Sequence, residues 1–415
     1  MNARTGPPGG RNSLVLTLVA LTGVACGLAG AAVKASAAPP PALPAVGAAD
    51  AADDAFSTPP SPLPQGAPGD VIRSRPAKAG PPGARALADA WEVMYLSTDA
   101  QGKPNAVTGM VLVPRKGDRS TAPVVGFGPG THGPAYRCAP SRMIDDGAFY
   151  EQPAVNDMLA RGWAVAVTDY EGYHPDPKTT YVVGRSTGPA LIDAVRAAQR
   201  LPAAGLSADA KVAFRGYSQG GGAAMWAGEL QPSYAPELNL VGVVGGGVPG
   251  DLALVSLALN GGVGFGFLMN ALIGLDNAYG LGLDGVLNEN GRAAFAAMRE
   301  NDCAIELFAD YQGRSVADYF TRSPLADAAW QRAYGANKLG GSTIAVPVFQ
   351  YHVTNDELVD HQQAATLRST YCSKGVKLTW KTFDAGHLSG VQRGNADALS
   401  FLTDRIAGRD ATTNC

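Results

Sequence analysis

A chain of 415 residues, 46% apolar and 17% charged, carries enough hydrophobic side chain for one large α/β domain with an insertion, or for two domains. Its formal charge of −3 is spread without a basic patch, which excludes the electrostatic footprint of a nucleic-acid binder. The five cysteines form no Cys-x-x-Cys or clustered Cys/His pattern, so no metal site is expected.

Residues 1–37 carry Arg4 and Arg11, then a glycine-interrupted apolar run from Leu14 to Val33, then Ala35-Ser36-Ala37, a small-residue cleavage pattern. This predicts a secretory signal peptide cleaved near Ala37 and an extracellular protein. An uncleaved anchor is the alternative, because the run is long enough to span a bilayer. A lipid-modified leader at Cys26 is disfavoured, since Gly23 stands where a leucine-like residue is wanted. Cleavage removes Arg4, Arg11 and Lys34 and no acid, which takes the charge from −3 to −6, and it removes Cys26. The cysteines left are Cys138, Cys303, Cys372 and Cys415, an even number that predicts two disulfides with three possible connectivities.

Residues 38–80 are rich in Pro and Ala and read as a tether merging into an extended arm. From Trp91 the pattern changes. Trp91–Ser97 and Val107–Pro114 read as two strands joined by a turn over Asp99–Pro104. Pro123–Gly128 and Trp163–Thr168 are apolar runs of buried-strand length, with a helical pattern around Ala154–Arg161 before the second. Ser186–Leu201 predicts a helix with Pro189 in its first turn and Leu191, Ile192, Val195 and Ala198 on one face. Later strands are expected at Leu238–Val244, Val346–Tyr351 and Val376–Phe383, and helices at His361–Tyr371 and Ala396–Ile406. Short buried strands alternating with helices indicate a mostly parallel sheet covered on both faces.

The stretch Arg215-Gly216-Tyr217-Ser218-Gln219-Gly220-Gly221 is a G-x-S-x-G sequence between a short strand pattern, Lys211–Phe214, and a small-residue helix pattern, Gly220–Ala227. A sharp strand-to-helix turn with serine at its apex needs neighbours without bulky Cβ substituents, and it leaves the hydroxyl exposed beside the positive end of a helix. Such a serine needs a base and an orienting acid, which in an α/β-hydrolase follow in the order Ser, acid, His. His387 lies just past the last strand pattern, in Asp384-Ala385-Gly386-His387-Leu388, and is the best-placed base. His352 also follows a strand but would invert the order. Asp356 is the best-placed acid; Glu357 is expected to point the other way, and Asp384 would have to fold back.

Between Pro249 and about Gly341 the strand rhythm stops. Leu252–Ala278 is apolar and broken by glycines, and Gly291–Tyr319 is more polar and helical. Those glycines argue against a membrane span, and a helical cap inserted into the sheet fits better. The expected organisation is therefore a signal peptide over 1–37, an arm over 38–80, and an α/β-hydrolase core in two parts, 81–249 and 342–415, around a cap at 250–341.

From about Ala55 to the C-terminus the chain resembles the secreted lipases of the Candida antarctica lipase A type, a family within the α/β-hydrolases. The resemblance rests on Gly130-Thr131-His132-Gly133 leading to Cys138-Ala139-Pro140-Ser141, on Asp169-Tyr170-Glu171-Gly172-Tyr173, and on the Gly216–Gly221 elbow. It continues through Tyr234–Asn239, His352–Val359, Gln363-Ala364-Ala365 and Gly386-His387-Leu388. It implies Ser218 as nucleophile, His387 as base and Asp356 as orienter, in agreement with chain order. One oxyanion donor should be the peptide N–H of Gln219. For the second, the resemblance implies Asp169, whereas the general pattern of the fold points to the loop at Thr131-His132-Gly133.

The resemblance also implies disulfides Cys138–Cys303 and Cys372–Cys415, and a helical cap that forms an acyl tunnel. Some members of the family carry a C-terminal extension over the site, whereas this chain ends at Cys415, so a more open leaving-group side is expected. The activity expected is hydrolysis of lipid or small esters, with no cofactor and with a possible lipid–water interface as partner. No transmembrane segment is expected in the mature chain. An acyltransferase using the same acyl-enzyme, or a silent hydrolase-fold binding protein of the cell surface, are the competing readings.

Overall fold

A computed structural model of the chain describes residues 48–415; the leader read over 1–37 and the start of the Pro/Ala-rich stretch lie outside the described residues. One sheet runs through the molecule in the order β1-β2-β3-β5-β4-β6-β7-β8-β9. The strands are β1 Val71–Ala77, β2 Ala88–Thr98, β3 Pro104–Pro114, β4 Val124–Gly128, β5 Ala164–Thr168, β6 Val212–Tyr217, β7 Leu240–Gly246, β8 Val348–Val353 and β9 Leu378–Phe383. The pairs β1–β2, β2–β3 and β3–β5 are antiparallel, and every pair from β5 to β9 is parallel.

The side-chain period of two explains why the central strands are largely apolar on both faces. Val124, Ala166, Phe214 and Val243 point into one core with the Gly184–Arg200 and Gln219–Tyr234 helices. Their neighbours Val125, Val165, Ala213 and Val244 point into the opposite core, where Val155, Met158 and Leu402 come from the helices Gln152–Ala160 and Asn395–Ile406. A strand covered on both faces has no polar side to alternate with.

Two expectations need correction. The segment read as tether and arm contains a helix, Ala48–Ser57, and β1, which pairs with β2 along the edge of the sheet. Composition hides this because the stabilising partners lie elsewhere. Trp91, Val93 and their neighbours supply the ladder, an edge strand tolerates Pro76, and Arg75 bonds both Asp53 of the helix and Glu92 of β2. The second correction concerns the Gly184 helix, which begins two residues before the pattern predicts and so places Pro189 in its second turn. The start is set by packing, since a Cβ on Gly184 would lie 1.9 Å from the Trp226 indole nitrogen.

Between β7 and β8 the chain leaves the sheet. The helices Leu252–Leu259, Phe265–Tyr279, Glu289–Asn301, Ala304–Ala309, Val316–Tyr319 and Ala328–Ala336 gather around their own apolar cluster, with Phe265, Leu272, Phe295, Met298 and Trp330 at its centre. Among the described residues, no helix is long and apolar enough to cross a membrane.

The disulfides Cys138–Cys303 and Cys372–Cys415 are both formed, the two pairs that the resemblance implies. The first ties the Tyr136–Cys138 turn to the residue capping the Ala304–Ala309 helix. The second pins the C-terminal tail across the β9 edge, where the Asn414 amide pairs with the backbone of Trp380. Closing a loop of 43 residues should stabilise the fold by about 4 kcal/mol in the chain-entropy picture. The double variant Cys372→Ser/Cys415→Ser should therefore melt several degrees lower. An unchanged Tm would show that hydrogen bonds alone hold the tail.

Candidate active site

β6 ends at Tyr217, the helix Gln219–Tyr234 begins two residues later, and Ser218 between them takes φ 56° and ψ −122°. A positive φ is strained for a residue with a side chain. It is held by the Ser218 N–H donating to Gly246 O at 2.9 Å and by the Ser218 carbonyl accepting from Gly222 N at 3.0 Å. The flanking glycines are required by contact as well as by the turn. A Cβ on Gly216 would stand 2.2 Å from the Gly220 carbonyl, and one on Gly220 would stand 1.8 Å from Gly128 O. Strands β4 and β6 and the helix therefore meet backbone to backbone directly beneath Ser218.

The structure brings Ser218, His387 and Asp356 together. His387 Nε2 lies 2.9 Å from Ser218 Oγ, and His387 Nδ1 lies 2.9 and 2.8 Å from the two oxygens of Asp356. A carboxylate only accepts, so Nδ1 carries the proton and the Nε2 lone pair faces the serine hydroxyl. The imidazole is held from behind. Tyr217 donates its hydroxyl to His387 O at 2.8 Å, its ring lies 5.1 Å from the imidazole, and Glu357 accepts the His387 N–H at 2.9 Å. The Asp356 side chain is fully buried, and its Oδ1 accepts from the N–H groups of Leu358 and Val359. Burial alone would raise this carboxyl, but hydrogen bonds from His352 and His387 hold it well below the usual range.

The rival acids are placed elsewhere. Glu357 meets the backbone of His387 and makes no contact with its ring, while exposed Asp384 bonds Asn355. Two contributors escaped the sequence. His352, set aside for its position in the order, bonds Asp356, and the i,i+4 spacing after a buried strand was its only signal. The other is Glu151.

The structure corrects the second oxyanion donor. Asp169 is fully buried, its N–H donates to Thr108 O at 2.9 Å, and its carboxylate accepts from the N–H and hydroxyl of Ser141 at 2.6 Å each. It ties β3, β5 and the Pro140 helix together, and no part of it lines the cavity around Ser218. Thr131 and His132 do line that cavity. Their loop is braced by Glu151, which accepts the Gly130 N–H at 2.7 Å, and by His132 Nδ1 at 3.0 Å from Gly130 O. Among the described residues, the peptide N–H groups of Thr131, His132 and Gly133 have no partner. That of Gln219 opens a helix and has no intrahelical acceptor.

Ser218, Gln219 and His387 open on a cavity of about 510 Å³. Its walls are largely apolar, from Tyr181, Leu252, Val255, Phe267, Phe308 and Leu358, and exposed Tyr150, Ile305 and Leu388 also border it. A serine on a strained strand-to-helix turn, bonded to a histidine that is bonded to a buried carboxylate, defines a serine hydrolase of the α/β-hydrolase fold.

The comparisons with known proteins are narrower. The secretory lipase family model matches residues 148–414. The crystal structure of Candida antarctica lipase A in its closed state superposes with a TM-score of 0.80 at 28% identity, covering 88% of each chain. A secreted triacylglycerol lipase of Malassezia globosa is 29% identical over 87% of this chain and 81% of its own. A probable inactive lipase of Mycobacterium tuberculosis is also 29% identical, over 86% of this chain and 83% of its own. The chain belongs to the secretory lipase family and is a lipase or esterase of the serine hydrolase class.

Burial pushes the Glu151 carboxyl up to about 7, partly offset by the Gly130 N–H and the charge of buried Arg215. A carboxyl raised on folding binds its proton more tightly in the folded state. Its contribution to stability therefore falls as pH rises from about 4.5 to about 7 and is level above that. Glu151→Gln keeps an acceptor for Gly130 but cannot ionise. Its melting temperature should fall less than that of the wild type between pH 5 and pH 8, and parallel curves would show that Glu151 does not titrate there.

Proposed function

We propose that the protein is an exported carboxylic-ester hydrolase that cleaves acylglycerols and short- to medium-chain esters through an acyl-enzyme on Ser218. The observation that carries this reading is the continuous line from Asp356 through His387 to the Ser218 hydroxyl, ending in an apolar cavity. In this reading the Ser218 oxygen attacks the ester carbonyl while its proton passes to His387 Nε2. The tetrahedral oxyanion is met by the N–H of Gln219 and by an N–H of the Thr131–Gly133 loop. Collapse breaks the bond to the alcohol, which leaves with the proton from Nε2; water then repeats the sequence and releases the carboxylic acid. Asp356 fixes the tautomer and steadies the imidazolium.

The leader pattern over 1–37 supports export and cleavage near Ala37. Residues 250–341 act as the cap, seated on a core made of 81–249 and 342–415. The cavity lies within the range of roughly 300–1,000 Å³ that holds a small ligand, room for a medium acyl chain. The exposed side chains of Tyr150, Ile305 and Leu388 at the border of the cavity support access for water and for bulky leaving groups, which favours breadth over selectivity. Added alcohol would compete with water for the acyl-enzyme, so product analysis in its presence separates hydrolysis from acyl transfer.

Ser218→Ala and His387→Ala should each lower ester hydrolysis by about a thousandfold or more, with a smaller loss for Asp356→Ala, and Ser218→Ala should abolish labelling by a fluorophosphonate. Full activity in Ser218→Ala would end the reading.

Acyl preference is a separate measurement. Each buried methylene should favour reaction by up to ~0.8 kcal/mol, about fourfold in kcat/KM, until the cavity fills. Val255→Thr with Leu259→Asn places polar groups on the inner face of the Leu252–Leu259 helix. That variant should flatten the chain-length profile while sparing acetate and butyrate esters; an unchanged profile would put the acyl site elsewhere.

A further inference from the structure

The Asp356 carboxylate serves two histidines. His352, at the end of β8, has no exposed side-chain surface, and its Nε2 lies 3.1 Å from Asp356 Oδ2 and 2.8 Å from Val359 O. Both neighbours only accept, so Nε2 must carry the proton. Nδ1 is buried and has no partner among the described residues, so the pocket offers no acceptor for a second proton. The ring is stacked against Trp380 at 6.4 Å and 15°, with His361 edge-on at 5.6 Å. Its orientation is thus set by packing that does not involve His387.

Asp356 Oδ1 is fixed by the N–H groups of Leu358 and Val359. Among the described residues, Oδ2 receives His387 Nδ1 and His352 Nε2. Without His352 this oxygen keeps the bond to His387 alone, and more of its lone-pair density is left for that bond.

We propose that His352 is a positioning residue of the reaction, a fixed N–H donor that steadies Oδ2 of the Asp356 carboxylate and limits how strongly it draws on His387. The inference rests on the roles given above to Ser218, His387 and Asp356. Its consequence for pH has a definite sign. A carboxylate deprived of one donor is a stronger acceptor toward the remaining one, which favours the imidazolium of His387. The base must be unprotonated to act, so the acid limb of kcat/KM moves to higher pH. The other groups facing this pair are His361 and Asp360 from the Asp360–Ser373 region, Glu357 from the loop, and Tyr217 from β6. They are left untouched in the test.

Two amides separate positioning from packing. In His352→Gln the amide nitrogen reaches the place of Nε2 and can donate to Asp356; in His352→Asn it reaches only the place of Nδ1. Both are measured with thermal melting, steady-state kinetics on a soluble ester and a pH profile. His352→Gln should keep kcat within about threefold of the wild type. His352→Asn should lose about tenfold or more in kcat with KM little changed, and its acid limb should move up by about half a pH unit. A wild-type kcat and an unmoved limb in His352→Asn, or equal losses in the two variants, would overturn the proposal.

Should His352→Asn fail to fold, His352→Gln decides alone: a kcat within threefold supports the proposal, and a tenfold loss with a native melting curve overturns it. Asp356→Asn, run alongside, isolates the underlying reading. If it is fully active the assigned triad is wrong, whereas if it is impaired and His352→Asn is not, only the role of His352 falls.

Discussion

The rest of the site depends on keeping one negative charge where water cannot reach it. An unpaired carboxylate in such a place would cost several kcal/mol and would take up a proton. Asp356 stays ionised because it is met on all sides: by two peptide N–H groups of its own loop, by His387 and by His352. Those donors are drawn from different parts of the fold. The loop follows β8, His352 ends β8, and His387 opens the helix after β9, so the charge is stable only when two strands of the sheet are in register.

The other side of the site is governed by sterics. Backbone atoms of β4, β6, β7 and the elbow helix approach so closely that any side chain at Gly216, Gly220 or Gly221 would overlap a neighbouring carbonyl. That closeness has two effects. It forces Ser218 into its strained conformation, and it points the first free N–H groups of the helix toward the same space as the serine hydroxyl. Above the serine the inserted helices contribute largely apolar walls, with Ser256 the polar side chain among them, and among the described residues they make no hydrogen bond to the side chains of Ser218, His387 or Asp356.

Sequence reasoning went furthest where a single local pattern carries the physics. The elbow is legible because close backbone approach demands glycine at fixed offsets from Ser218, and the strands β4, β5 and β7 are legible because burial on both faces leaves nearly continuous apolar runs. That Asp356 and His387 lie beside Ser218 follows from chain order, since each follows a later strand of the same sheet. What failed was long-range. Asp169 sits in a motif that looks functional, yet its N–H is spent on Thr108 and its carboxylate on Ser141, partners 61 and 28 residues away in sequence. Likewise β1 is a strand because β2 lies beside it, not because Val71–Ala77 has a strand's composition. His352 was legible as a histidine at a strand end but not as a second donor to Asp356, since its partner is chosen by how the following loop turns back.

The position of the insertion explains how such different parts coexist. Ser218 precedes it and Asp356 and His387 follow it, so the triad closes only across the carboxyl ends of β6, β8 and β9, the edge of the sheet where loops are free to vary. A cap placed between β7 and β8 can change its lining without moving any of these strands. The stretch Thr131–Cys138 is the exception, for it is joined to the insertion both covalently and by hydrogen bonds. Cys138 binds Cys303 covalently, and the Ala304 N–H donates to His132 O at 2.8 Å. The loop that offers free N–H groups beside Ser218 is therefore fastened to the cap helix that carries Ile305 and Phe308 into the cavity wall. The apolar wall carried by that helix and the free N–H groups of the loop therefore share a covalent and a hydrogen-bonded anchor, although Cys138 and Cys303 lie 165 positions apart in sequence.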